Sequence, residues 1–231
     1  MTISLFCFKS DCDKMTKALV SGQLQNLRTV YFYDIVHSTA PHLTERYRDN
    51  DALICPIEAL LKSTNSIRNF KLVGERFDKD AILNMVTTLT AFKNIHNIHI
   101  GYCNLDFPNI VRVLASIPNL RYFCCGLASG FPEMNGYVQD ELIQLIDDEL
   151  GPLNTSLVTL DINNSDSMPV EFVVETVAML VIGCPNLSQL VMELGDMYGF
   201  IDLMDEFAKG LPFPDHTSRL LGFTKNLYPQ E

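Results

Sequence analysis

One short phrase recurs along the chain and limits what it can fold into. The phrase is an apolar residue, two residues of any kind, an apolar residue, one further residue and an apolar residue. Its last two apolar positions are two residues apart, so both point to one face of a short β-strand. Seven copies, whose first residues are 24 to 40 residues apart, are Ile3-x-x-Phe6-x-Phe8, Leu27-x-x-Val30-x-Phe32, Ile67-x-x-Phe70-x-Leu72, Ile95-x-x-Ile98-x-Ile100, Leu120-x-x-Phe123-x-Cys125, Leu157-x-x-Leu160-x-Ile162 and Leu187-x-x-Leu190-x-Met192.

Segments of helical periodicity separate these strands. Apolar residues at helical spacing predict helices over 56–62, 80–92, 108–117, 139–150, 169–182 and 200–209. Strand and helix therefore alternate, which is typical of an α/β protein with a parallel sheet. A single strand and helix cannot bury an apolar face alone, so such units stack. The pattern predicts a solenoid with a concave parallel β-sheet inside and convex helices outside.

A doubly wound sheet also alternates strand and helix, and it is the competing architecture. Two features of the sequence favour the solenoid. The strand phrase is nearly the same in every copy, and no glycine-rich phosphate turn follows any of the strands.

Two segments carry a family resemblance. Residues 95–103, Ile-His-Asn-Ile-His-Ile-Gly-Tyr-Cys, match the pattern L-x-x-L-x-L-x-x-C, and Gly183-Cys184-Pro185-Asn186-Leu187 provides a typical lead-in to the next repeat. The chain thus resembles leucine-rich-repeat proteins, and is similar to the cysteine-containing, RNI-like repeats of F-box substrate receptors. The resemblance implies one leucine-rich-repeat domain over 1–231, a horseshoe of about seven irregular repeats.

The chain departs from the family pattern in two ways. The Asn or Cys that follows each strand is replaced in the other repeats by Asp11, Ile35, Glu75, Ala128, Ser165 and Gly195. No F-box is visible before Ile3, so we expect either a piece or truncated relative of such a receptor, or binding without ligase recruitment.

Charge restricts the class of partner. The net charge is -11, which argues against nucleic acid and anionic membranes as partners, since both need clustered Lys and Arg. Residues 1–130 contain 14 Lys and Arg against 11 Asp and Glu, whereas residues 131–231 contain 3 against 17. A partner protein that contacts the acidic C-terminal half is expected to present basic groups there.

Cysteine usage and the start of the chain indicate a compartment. The seven Cys are odd in number and show no disulfide framework, and several lie in apolar runs. The first residues show neither a charged region nor a cleavage site of a signal peptide. We therefore expect a cytoplasmic or nuclear protein.

The concave strand face is the expected binding surface, since solenoids of this class usually bind there. Residues between the apolar strand positions would point to it, and tyrosines among them are suited to dominate binding energy. Segments 37–51 and 128–138 are insertions after strands and would lie on one rim beside the site. The candidate partner-binding residues are Tyr31, Tyr33, Lys71, His99, Tyr122, Asp161, Asn163 and Glu193.

No catalytic, cofactor or metal site is predicted. Cys124 and Cys125 are adjacent and would point to opposite faces of a strand, as would His96 and His99. The segment from Asp161 to Asp166 lacks the glycine of a calcium-binding loop. Nucleophile elbows, phosphate-binding loops and zinc-protease motifs are also missing from the sequence.

The sequence therefore favours a protein-interaction module over an enzyme. The F-box resemblance implies substrate recognition for a ubiquitin ligase as one form of this role. Two alternatives remain open at this stage. One is a regulator of a small GTPase that uses an exposed Arg28, Arg76 or Arg121, and the other is a structural subunit of a larger assembly.

Overall fold

A computed structural model describes residues 2–6, 14, 17–18, 21, 26–33, 66–73, 94–127, 152–163, 169–192, 197–211 and 214–227. Over these residues the chain is an α/β protein with one parallel sheet. The strands are β1 (Thr2–Phe6), β2 (Thr29–Tyr33), β3 (Asn69–Val73), β4 (Asn97–Leu105), β5 (Tyr122–Leu127), β6 (Thr159–Asn163) and β7 (Gln189–Met192). The helices are α1 (Phe107–Ser116), α2 (Val170–Gly183), α3 (Met197–Gly210) and α4 (Pro214–Leu227).

Each strand pairs in parallel with the next strand along the chain, so the spatial order is the sequence order. A doubly wound sheet, by contrast, contains a point at which the strand order reverses. The central apolar position of the phrase falls in one cross-strand row from β2 to β7, as the sequence predicts. This core row consists of Val30, Phe70, Ile98, Phe123, Leu160 and Leu190.

The first copy of the phrase is misplaced by the sequence pattern. In β1, Ile3 pairs with Val30 and Leu5 pairs with Phe32. Ile3 and Leu5 therefore take the places in the sheet that the phrase assigned to Phe6 and Phe8, three residues later in the chain. Both readings place apolar residues two apart, so local alternation alone cannot choose between them. Pairing with β2 decides the register.

The first described helix has a clear start signal. The carboxylate of Asp106 accepts a hydrogen bond from the backbone N–H of Asn109 at 3.0 Å, and Pro108 lies in the first turn, where its missing N–H costs nothing. Helix α1 buries one face, formed by Phe107, Ile110, Val113 and Leu114, in the core. Each of these contacts removes apolar area from water.

Three predicted helices are confirmed. The predictions over 108–117, 169–182 and 200–209 correspond to α1, α2 and α3, with ends that differ by one to three residues. The predictions over 56–62, 80–92 and 139–150 lie outside the described residues. None of the helices that the structure describes is long and apolar enough to cross a lipid bilayer.

Helix α4 was not predicted, because its sequence is largely polar and contains Gly222. Long-range contacts hold it in place. Arg219 donates from Nε to the carbonyl of Val181 and from Nη2 to the carbonyl of Cys184, both at 2.5 Å. These bonds satisfy carbonyls at the end of α2 that have no partner within their own helix. Leu220 and Phe223 are buried in the same core.

A buried asparagine links α1 to the start of β6. Asn154 is 2% exposed, and its Nδ2 donates to the carbonyls of Leu114 at 2.9 Å and Ile117 at 2.8 Å. Its Oδ1 accepts from the backbone N–H groups of Ser156 and Leu157, both at 2.9 Å. One side chain therefore satisfies four backbone groups from two successive units of the fold.

Replacing this side chain is expected to destabilise the protein strongly. Asn154→Ala removes all four hydrogen bonds, and only the Ile117 carbonyl keeps a second donor, the N–H of Leu120. We therefore expect a loss of about 3 kcal/mol in the free energy of unfolding, measured by urea denaturation. Asn186→Ala is the matched control, because the Asn186 amide is exposed and makes one bond, to the carbonyl of Thr155. The control should cost at most about 1 kcal/mol. Equal losses for the two variants would contradict the structural role of Asn154.

Candidate functional site

The polar face of the sheet, opposite the core row, carries a second line of side chains. Successive residues of a strand point to opposite faces, and neighbouring strands are about 4.8 Å apart, so residues paired one after another form a continuous row. We call this line the central row. It consists of Tyr31, Lys71, His99, Cys124, Asp161 and Val191.

Most of the central row is accessible to solvent. Tyr31, Lys71, His99 and Asp161 are partly exposed, and Val191 is 52% exposed. The row thus offers an aromatic ring, a cation, an imidazole, an anion and an apolar side chain in one line. Four of the predicted partner-binding residues, Tyr31, Lys71, His99 and Asp161, lie in it together.

A ladder of hydrogen bonds runs beside the central row at the start of β2, β3 and β4. Asn97 donates from Nδ2 to Oδ1 of Asn69 at 2.6 Å, and Asn69 donates from Nδ2 to Oγ1 of Thr29 at 3.0 Å. On the same face, at the start of β6 and β7, the Thr159 hydroxyl donates to Oε1 of Gln189 at 2.8 Å. These bonds hold exposed polar side chains in defined positions. Sequence reasoning placed these residues on the polar face but did not predict that they pair.

Tyr122 and Asp161 are joined across β5 and β6. The Tyr122 hydroxyl donates to Oδ2 of Asp161 at 2.7 Å. Burial of the phenol, together with this bond to a carboxylate, raises the pKa of Tyr122 far above its ordinary value. Tyr122 therefore stays a neutral donor, and it fixes the direction of the Asp161 carboxylate.

Cys124 lies within this group but is not exposed, which corrects its predicted solvent-facing position. Its exposed fraction is 0%, and Asn163 donates from Nδ2 to its Sγ at 3.6 Å. The pKa of the Cys124 thiol is raised to about 12, mainly by burial and to a lesser extent by the negative charge of the nearby Asp161 carboxylate. A neutral, fully buried thiol is a poor nucleophile, because attack requires the thiolate and access to substrate.

His99 is next to Cys124 in the central row. Its half-burial lowers the imidazole pKa below the ordinary value, and the positive charge of Lys71 lowers it further, against the opposing effect of Asp161. The lowered pKa favours the neutral form of the ring at pH 7. A neutral imidazole has one donor and one acceptor nitrogen, so His99 can both donate and accept a hydrogen bond.

A buried glycine on the polar face makes room for Asn163. Gly101 and Gly126 are both buried. Gly126 pairs with Asn163 across β5 and β6. A Cβ at Gly101 would collide with Nδ2 of Asn163 and come within 3.0 Å of Sγ of Cys124. The missing side chain at Gly101 lets the Asn163 amide extend across the sheet and help to cover this part of its face.

The remaining predicted site residues are placed only in part. Tyr33 ends β2 and pairs with Val73 along the backbone, while its side chain lies outside the described part of the structure. Glu193 and the insertions 37–51 and 128–138 also lie outside it. Within the described ranges, no three His, Cys, Asp or Glu side chains form a group that could hold a metal ion.

Comparison with models of known protein families and with curated proteins finds no match for this chain. Function therefore has to be inferred from the chemistry of the polar face itself.

Close packing around Gly101 predicts that substitutions at Gly101 and Asn163 have coupled effects on the free energy of unfolding. Gly101→Ala should lower the free energy of unfolding by about 2 kcal/mol, because its Cβ displaces the Asn163 amide. Adding Asn163→Ala should recover most of this loss in urea denaturation. Gly222→Ala is the control, since a Cβ there meets nothing within 4 Å. That helical substitution should stabilise the protein by about 0.5 kcal/mol. A double variant as unstable as the sum of its parts would refute the contact.

Burial of the thiols predicts slow alkylation in the folded protein. With the thiol pKa of Cys124 and of Cys184 each raised to about 12, only a minute fraction is thiolate at pH 8. Iodoacetamide should therefore label both residues far more slowly in buffer than in concentrated urea, as measured by mass spectrometry of the peptides. Equal labelling rates in the two solvents would show that neither thiol is protected.

Proposed function

We propose that this chain is a protein-interaction module, a leucine-rich-repeat-like solenoid that binds a partner protein on the polar face of its sheet. Sequential order and in-register pairing of the strands support the solenoid, because stacked repeats produce this order. The helices that pack into the core supply apolar side chains to the opposite face of the sheet. The polar face is left as the inner, concave surface of such a solenoid.

The central row is the observation that carries this proposal. It extends over six strands, about 24 Å at the ordinary strand spacing. Tyr31 and Val191 provide apolar area near its ends, and Lys71 and Asp161 provide opposite charges between them. A partner that matches this order of chemical groups gains both burial of apolar surface and charge complementarity.

Pre-organisation of the polar face favours binding further. Side chains that are already held by hydrogen bonds lose little conformational freedom when a partner docks. The ladder of Asn97, Asn69 and Thr29 and the bond from Tyr122 to Asp161 provide this restraint. Their remaining donor and acceptor groups face the side from which a partner approaches.

The charges define the kind of partner surface that fits. We propose an acidic group of the partner opposite Lys71 and basic groups towards the acidic C-terminal half of the chain, where residues 131–231 contain 17 Asp and Glu against 3 Lys and Arg. Recognition of a substrate for a ubiquitin ligase is a specific form of this proposal, suggested by the resemblance to F-box receptor repeats.

Tyrosine substitutions on β2 test the surface. The tagged chain is used to purify its partner from cell extract, and the partner is identified by mass spectrometry and then produced alone. The variant Tyr31→Ala with Tyr33→Ala should weaken its binding by about tenfold or more, because tyrosine side chains often dominate the binding energy of such interfaces. The control Tyr198→Ala changes a tyrosine on α3 that is 68% exposed and should leave affinity unchanged. Unchanged affinity of the β2 variant would rule out this surface.

A further inference from the structure

The residue immediately before the strand is basic in four successive units of this acidic protein. Arg28, Arg68, His96 and Arg121 precede β2, β3, β4 and β5. The equivalent positions before β6 and β7 are Val158 and Ser188. The basic residues therefore lie side by side along the border of the sheet at which the strands begin, and we call them the basic edge.

Backbone hydrogen bonds show that the members of the basic edge are true neighbours. The N–H of Arg68 donates to the carbonyl of Arg28 at 2.8 Å, that of His96 to Arg68 at 2.8 Å, and that of Arg121 to His96 at 2.7 Å. Each residue is thus about one strand spacing, or 4.8 Å, from the next. The basic edge is about 14 Å long at the same spacing.

The two central side chains are held in place by one acceptor. Arg68 donates from Nη1 to the carbonyl of Asn94 at 2.9 Å, and Nδ1 of His96 lies 2.9 Å from the same oxygen. A carbonyl can only accept, so Nδ1 of His96 is the donor. Arg68 uses one of its five N–H groups in this bond, which leaves the others for a ligand.

The two outer members of the edge are exposed arginines. Arg28 and Arg121 are both exposed, on either side of the central pair. Like charges on neighbouring strands repel each other and oppose folding. An anion along the edge would remove this repulsion and could accept paired hydrogen bonds from each guanidinium.

From this arrangement we propose that the basic edge binds a short acidic segment of a partner protein. An extended peptide advances about 3.3 Å per residue, so four or five residues span the edge, and their carboxylates are the bidentate acceptors that guanidinium groups prefer. A long polyanion such as nucleic acid fits less well. The basic positions end at β5, and residues 131–231 carry a large excess of Asp and Glu.

The basic edge lies at the start of the strands and does not include the central row, so this proposal does not depend on the proposed function. Its test uses fluorescence anisotropy with the full chain at low salt. The labelled probes are pentaglutamate, pentaglutamine and a single-stranded oligothymidylate with five phosphates. We expect binding of pentaglutamate, loss of binding with pentaglutamine, and weakening as salt screens the charges.

Matched variants locate the bound peptide. Arg28→Gln with Arg121→Gln should weaken pentaglutamate binding about tenfold, since two exposed ion pairs are removed. Arg28→Lys with Arg121→Lys should retain more of the affinity, because the charge stays while the paired geometry is lost. Lys209→Gln, at an exposed lysine in the last turn of α3, is the control and should change affinity less than about twofold. Lys71→Gln reports whether the peptide also contacts the polar face. Thermal unfolding checks that all variants fold.

Several outcomes would overturn the proposal. These are no measurable binding of pentaglutamate, equal binding of pentaglutamine, or the same affinity in the Arg28→Gln, Arg121→Gln variant. A strong effect of Lys71→Gln with none of the double variant would move acidic recognition to the polar face. Tighter binding of oligothymidylate than of pentaglutamate would favour nucleic acid as the ligand. Failure here leaves the tyrosine test of the polar face unaffected.

Discussion

Parallel backbone pairing between successive units is the interaction on which the rest of the structure depends. At the start of each strand from β3 to β7, the N–H of the preceding residue donates to a carbonyl in the unit before, at 2.7 to 3.0 Å. Because side chains alternate along a strand, this register sends one row of apolar residues into the core and another row to the polar face. A slip of one residue would exchange the two rows.

Polar side chains complete the links that backbone pairing cannot make. Asn154 satisfies carbonyls at the end of α1 together with N–H groups before β6, and Arg219 satisfies carbonyls at the end of α2. Both residues connect elements that are far apart in sequence. The helix ends therefore have partners inside the protein, and buried backbone groups avoid the cost of losing water without replacement.

The polar face combines closely packed residues with accessible ones. Around Cys124, the Tyr122–Asp161 bond, the Asn163 amide and Gly101 produce a closely packed patch, in which burial raises the pKa of the thiol and lowers that of the His99 imidazole. On either side of this patch, Tyr31, Lys71 and Val191 remain accessible. The packed patch holds the register of β4, β5 and β6, and the accessible residues carry the chemistry that a partner can recognise.

Local pattern in the sequence determined the strands β2 to β7, the helices α1 to α3 and the placement of Tyr31, Lys71, His99 and Asp161 on one face. These features follow from periodicity, which neighbouring residues encode on their own. Tertiary structure alone decided the register of β1, the existence of α4, the burial of Cys124 and the role of Asn154. Each of these depends on partners 20 to 40 residues away, as in the bonds from Asn154 to Leu114 and from Arg219 to Val181. Periodicity reports which face of an element is apolar, whereas only the packed chain determines which distant group meets it.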